Sequence, residues 1–254
     1  MIRARLTAAV VCACLAMTIA PAYAASTGPT TPASTAAPIR TQDTYSPPAA
    51  PPGAITPTPH VIIKPSNTFH VKVDPTGKKV MDDTWPDAAV VFTKAELAQA
   101  LPGLTGVSAG DCQQIPVAKG GTSAHHEICT LTLRIPGEPN DDRSRLVVDV
   151  RDFGTADTIG RAWNAELAQE RARAEKRPGL YTFFKNGSLG AVSSYTDGTT
   201  TRVLLAKGAV TGEIWFSGVG FTTLKSSYLA SRQQYRQVIV PELVRLLAAK
   251  MHGS

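Results

Sequence analysis

The chain has 254 residues, 43% of them hydrophobic and 18% charged, with a formal net charge of +6. That basic excess is small and dispersed, which excludes a nucleic-acid-binding surface of the usual kind. Beyond the opening residues no stretch is long and apolar enough to span a bilayer, which takes about 20 residues.

The opening residues carry Arg3 and Arg5, then an apolar run from Leu6 to Ala20, then Pro21-Ala22-Tyr23-Ala24. A cationic start, an apolar middle and small residues at the last and third-last positions make a secretory signal over 1–24, cut after Ala24. Val11-Cys12-Ala13-Cys14 loosely resembles a lipoprotein processing site, but cutting before Cys14 leaves a very short leader, and the Ala22–Ala24 site is better formed. The expected product is secreted, extracellular or cell-wall associated, with no transmembrane helix after cleavage. Losing Arg3 and Arg5 leaves twenty-four basic against twenty acidic residues, a charge of +4. A mild excess of that size suits anionic wall polymers or lipid surfaces. Cys12 and Cys14 leave with the leader, so Cys112 and Cys129 are the only cysteines of the mature chain, and in an oxidising compartment they are expected to pair. A redox-active pair is the competing reading, but it usually needs C-x-x-C spacing.

From 25 to 59 the composition is dominated by Pro, Thr, Ala and Ser, the mark of a disordered, extended spacer. Residues 60–90 form an N-terminal arm in which His60–Lys64 and Phe69–Val73 are either short edge strands or an arm laid over the domain. Asp74-Pro-Thr-Gly77 reads as a turn. The domain proper occupies 91–254. Thr93-Lys-Ala-Glu96 matches a capping box and opens a short helix to Leu101, which Pro102-Gly103 ends. A strand near Val107 leads into Cys112. Glu127–Ile135 alternates, with Cys129, Leu131, Leu133 and Ile135 on the inward face. Arg145–Arg151 is a second strand, with Leu146, Val148 and Val150 facing one way. A helix over 155–176 puts Ile159, Trp163 and Leu167 on its buried stripe and Glu166, Glu170, Arg171, Arg173 and Glu175 outside. Strands are expected at 190–195, 202–207 and 210–217, with turns at Asp197-Gly198 and Lys207-Gly208. The tail from Leu224 to Met251 is helical, its buried stripe including Tyr228, Tyr235, Ile239 and Leu243, and Pro241 should kink or divide it.

The order helix, three strands, helix, three strands, helix predicts an α+β fold: an antiparallel sheet of about six strands, with helices on one face and one disulfide. About 165 residues suffice for one core.

The chain resembles the exported actinobacterial proteins of the DUF3558 group and the extracellular sensor domain of mycobacterial serine/threonine kinases. The resemblance covers about 90–250. It is carried by the Thr93–Leu101 helix, Cys112 after it, Cys129 at a strand start, the Trp163 helix, Leu189-Gly190-Ala191 before a strand, Val203–Gly208 and the C-terminal helix. It implies a sensor-like, wall- or membrane-facing binding domain and transfers no catalytic residue. Family members are often lipoproteins, which the leader here does not clearly support.

No Gly-x-Ser-x-Gly, phosphate-cradling loop or His-Glu-x-x-His helix is present. Ser123, His125 and His126 beside Glu127 form the nearest approach to a reactive cluster. In a regular strand His125 and Glu127 share a face that His126 cannot join, and two ligands do not complete a metal site. No cofactor or metal is expected. The aromatic group Tyr181, Phe183, Phe184, Tyr195 and Trp215 is the candidate ligand-binding surface, set against plain burial under helices. Asn186-Gly-Ser188 matches a glycosylation pattern. The functional expectation is a non-catalytic binding or sensor-like module at the cell envelope, its partner a cell-wall component, lipid or exported protein. A secreted hydrolase with scattered catalytic groups is the alternative, and a scaffold presented by the Pro/Thr spacer is a third.

Overall fold

Seven alternating stretches build one antiparallel sheet, and helices close over both of its faces. The computed structural model describes residues 46–73, 84–116 and 122–252. The leader, the Cys12–Cys14 pattern, the spacer up to residue 45 and the turn at Asp74–Gly77 lie outside the described residues.

Helix α1 (Lys94–Ala100) leads into β1 (Gly106–Pro116), β2 (Thr122–Arg134) and β3 (Arg145–Gly154). A π-turn at Ala156–Gly160 opens helix α2 (Arg161–Lys176), which a short 3-10 turn connects to β4 (Tyr181–Phe183). Then come β5 (Ser193–Asp197), β6 (Thr200–Lys207) and β7 (Val210–Val219), followed by α3 (Tyr228–Gln234), a π-turn at Tyr235–Ile239 and α4 (Val240–His252). The strands lie in the order β1-β2-β3-β7-β6-β5-β4, every neighbouring pair antiparallel. The α+β class and the single antiparallel sheet are as the sequence predicts. The strand count is seven because β4 is three residues long, too short to show a period.

The sheet's inner face carries Cys129, Leu131, Leu133, Leu146, Val148, Val150, Val203, Leu205, Ile214 and Phe216, packed with α1 and α4 into the main core. Leu204 and Tyr195 point the other way and join Ile159, Trp163 and Leu167 in a second, smaller cluster. Helix α2 therefore covers the outer face, not the one α1 and α4 cover, because apolar side chains on both sides of β5 and β6 need burial. Ile159, Trp163 and Leu167 are buried as their spacing requires. Glu170, expected outside, is only 1% exposed because Arg173, Arg202 and the Tyr181 hydroxyl all meet its carboxylate.

The capping box forms as read. Thr93 Oγ1 accepts from the Glu96 amide at 3.4 Å, and Glu96 Oε2 accepts from the Thr93 amide at 2.8 Å. At the other end, the tail is interrupted just before Pro241, the second residue of α4. The preceding turn widens into a π-turn, which accommodates the amide that proline lacks. Tyr228, expected in the buried stripe, sits in the first turn of α3 and is 61% exposed. Two glycines let rings lie flat on β7: a Cβ at Gly212 would meet the Phe153 ring at 2.0 Å, and one at Gly218 the Tyr235 ring at 2.1 Å.

Candidate functional site

The disulfide sits where the β1–β2 ladder breaks register. Gly110 pairs with Thr130 and Gln113 with Ile128, so Asp111 and Cys112 together stand opposite Cys129. Asp111 absorbs the bulge in a left-handed conformation (φ 49°), which aspartate tolerates better than most residues. Cys112 thereby faces Cys129, and the two are bonded at 2.05 Å across 17 residues of chain. Cys129 is wholly buried in the main core, as its place in the alternation requires.

The aromatic candidates separate. Phe184 turns into the main core. The others lie on the outer face in one cross-strand row, in which Phe183 pairs with Tyr195, Tyr195 with Arg202, Arg202 with Trp215 and Trp215 with Asp149. Tyr181 stacks on Phe183 with ring centroids 6.0 Å apart, and Phe183 meets Tyr195 at 5.5 Å. Tyr195 is buried against Trp163 (5.6 Å) under α2, so it is a packing residue. Trp215 is half-buried, and its ring is occupied: the guanidinium groups of Arg202 and Arg151 lie over it at 4.0 and 4.1 Å. Its indole N–H donates to Glu213. Burial pushes the Glu213 carboxyl up to about 7, a rise that the Trp215 hydrogen bond only partly offsets. Burial likewise raises Asp149 and Asp152. This row is a polar and aromatic band in which the largest half-open ring is already covered by cations.

A concave site lies elsewhere, between the arm and the segment before α1. Residues 60–73 pair with no strand and are strapped to the helices by side chains. Glu242 on α4 accepts from the His60 and Val61 amides (2.8 and 3.3 Å), Glu96 from the Ser66 amide (2.7 Å), and Gln99 from the Lys64 amide (3.3 Å). The Phe69 amide donates to the Lys250 carbonyl at 2.9 Å. The preceding residues 46–59, assigned by composition to the disordered spacer, also touch the body. Arg171 reaches the Ala49 carbonyl, Asn186 that of Pro48 and Arg245 that of Pro57, while Ile55 bridges in parallel to Phe184 beside edge strand β4. Asn186 is thus a clamp on the proline-rich segment.

The facing wall, residues 84–91, is held by the two histidines of β2. His125 Nδ1 donates to the Trp85 carbonyl at 2.8 Å, the Ala88 amide donates to the His126 carbonyl at 2.9 Å, and His126 Nδ1 meets Asp87 Oδ1 at 3.3 Å. Trp85 is fixed edge-on against Phe153 at 5.3 Å. Between arm and wall opens a cleft of about 440 Å³. Phe69, Trp85, Val90 and Val91 give it apolar walls, and Asn67, His70, Lys72, Asp87 and His125 bring polar groups to it. None of Phe69, Trp85 or Val91 stands out as a site residue in the sequence. Their one visible sign is the alternation of Phe69–Val73, and the cleft exists only because Glu96, Glu242, Lys250 and the histidine pair place distant segments together.

No protein-family model matches the chain, and no curated protein or solved structure does.

Proposed function

We propose that the chain is an exported, non-catalytic binding module that works at the cell envelope and takes an amphiphilic ligand into the cleft between its arm and the Trp85–Val91 segment. The observation that carries this is the cleft itself. Its volume of about 440 Å³ falls in the range of small-molecule sites, and its make-up of apolar walls with a few polar groups is theirs too. Val90, exposed at the cleft over the buried Phe69, Trp85 and Val91, suits an apolar body, while Lys72 and His70, both exposed, suit an anionic head group at the rim. The leader, the mature charge of +4 and the resemblance to exported DUF3558 proteins agree with a site of action outside the cytosol.

A hydrolytic reading has less support from the same residues. His125 Nδ1 is committed to the Trp85 carbonyl, and Asp87 Oδ1 to His126 and to the Ala89 amide at 2.9 Å. They hold the wall in place and are not paired with each other as base and orienting acid.

Native mass spectrometry of the protein recovered from the envelope fraction tests the proposal. The wild type should carry a one-to-one adduct of an amphiphile, and Val90→Arg, which places a guanidinium at the cleft, should lose it. An adduct that survives Val90→Arg, or no adduct in the wild type, contradicts the proposal.

A further inference from the structure

The three potential metal ligands nearest one another among the described residues are Cys112, Cys129 and His126, whose sulfurs and a ring nitrogen all lie within 4.8 Å of one another. This convergence is not what a regular strand gives, since residues three apart point to opposite faces. It arises from the broken β1–β2 ladder. Register slips between the Gln113–Ile128 and Gln114–His126 pairs, and the bulge at Asp111 aligns Cys112. We propose that reduction of the Cys112–Cys129 bridge converts this corner into a zinc site, with the two thiolates and His126 as protein ligands and a fourth position open to water.

The second coordination shell is in place. His126 Nδ1 donates to Asp87 Oδ1, because a carboxylate can only accept, and this leaves Nε2 as the lone-pair nitrogen. A carboxylate behind the imidazole is the usual partner of a zinc-bound histidine, fixing its tautomer and raising its basicity. The side chains of His126 and Asp87 are 30% and 21% exposed, so the histidine side of the corner faces solvent. Two zinc-bound sulfurs stand about 3.8 Å apart for tetrahedral bonds of about 2.3 Å.

The exchange balances with a dithiol as reductant. Its thiolate attacks Sγ of Cys112, the less buried of the pair, and the electron pair of the broken S–S bond leaves on Cys129. The second thiolate of the reductant attacks the mixed disulfide and frees Cys112, and the reductant departs as its own disulfide. Zinc then binds both cysteines as thiolates, and any proton they hold is released.

Cobalt(II) titration of the purified protein is the test, after reduction by a phosphine and its anaerobic removal. The reduced wild type should develop thiolate-to-cobalt charge transfer and the visible bands of tetrahedral cobalt, saturating at one equivalent and abolished by added zinc. The oxidised protein should show neither. His126→Ala should weaken zinc binding at least about tenfold. Reduced protein that keeps its far-ultraviolet circular dichroism yet gives no such bands overturns the proposal, as does His126→Ala binding like the wild type. If reduction melts the fold, zinc should raise the thermal midpoint of the reduced wild type and not that of reduced His126→Ala. No rise in the wild type overturns it equally.

Discussion

Lys250, near the end of the last helix, meets Glu96 of the first helix's capping box at 2.7 Å, and neither side chain is accessible to solvent. The ammonium also donates to Asn67 Oδ1 and to the Val91 carbonyl, both at 2.6 Å, so its donors are used. Glu96 in turn accepts from the Ser66 and Thr93 amides. One buried pair thus ties together α1, α4, the arm and the segment that walls the cleft. Burial pushes the Glu96 carboxyl up, but the hydrogen bonds from Lys250, Ser66 and Thr93 outweigh it and hold it below its ordinary value. Burial lowers Lys250.

Lys250→Met should therefore cost about 3–5 kcal/mol, because it strands a buried carboxylate. The double variant with Glu96→Gln should recover part of that loss in a denaturant titration. Since the folded-state value of Glu96 is depressed, its contribution is present above the unfolded value of about 4.5 and is lost as pH falls through the folded one. A wild type whose acid midpoint matches that of Glu96→Gln would refute the assignment.

Glu213 predicts the opposite slope. Its carboxyl, only 6% exposed, is raised to about 7, so between its unfolded value and that point the folded state binds the extra proton. Its contribution to stability is full below the unfolded value and declines as pH rises through the folded one. The groups facing it are Trp215, Glu166, Arg202 and Arg151. Thermal midpoints taken from about pH 5 to about pH 8 should fall more for the wild type than for Glu213→Gln.

Trp163 is 1% exposed and packs on Tyr195, so Trp163→Ala should cost about 3–5 kcal/mol by chemical denaturation. Gly218→Ala should cost about 1–3 kcal/mol, because the new methyl overlaps the Tyr235 ring.

The proposed export makes its own prediction. Protein recovered from the culture medium should begin at Ala25 and react with no thiol reagent until reduced, since Cys112 and Cys129 are its only cysteines. Cys129→Ser should lower stability by about 3 kcal/mol under oxidising conditions. An unchanged midpoint would mean that the bridge does not form in the secreted protein.

What was legible in the sequence is what local periodicity determines. The Thr93–Glu96 box, the inward face of Cys129 and Leu131, and the Ile159–Trp163–Leu167 stripe follow from spacing alone. The helix on the outer face does not. It depends on Tyr195 and Leu204 facing away from the main core, which the alternation in β5 and β6 permits but does not announce. Glu170 reads as a surface residue until Arg202, thirty-two residues later, is seen to reach it. The aromatic group was visible as a cluster of residue types. Its division into one core residue and a cross-strand row required the register of β4, a three-residue strand. The cleft left almost no trace, because its walls come from separate segments and are placed by long-range hydrogen bonds to Glu96, Glu242 and the His125–His126 pair.

The measurement that bears most directly on the proposed function is calorimetric titration of the oxidised protein with a medium-chain fatty acid and, separately, with the alcohol of equal length. Saturable one-to-one binding of the acid should appear, weakened by Lys72→Glu and by Val90→Arg and poorer for the alcohol, with a negative heat-capacity change from apolar burial. Binding indifferent to both substitutions, or no binding of either amphiphile, would contradict the assignment of the cleft.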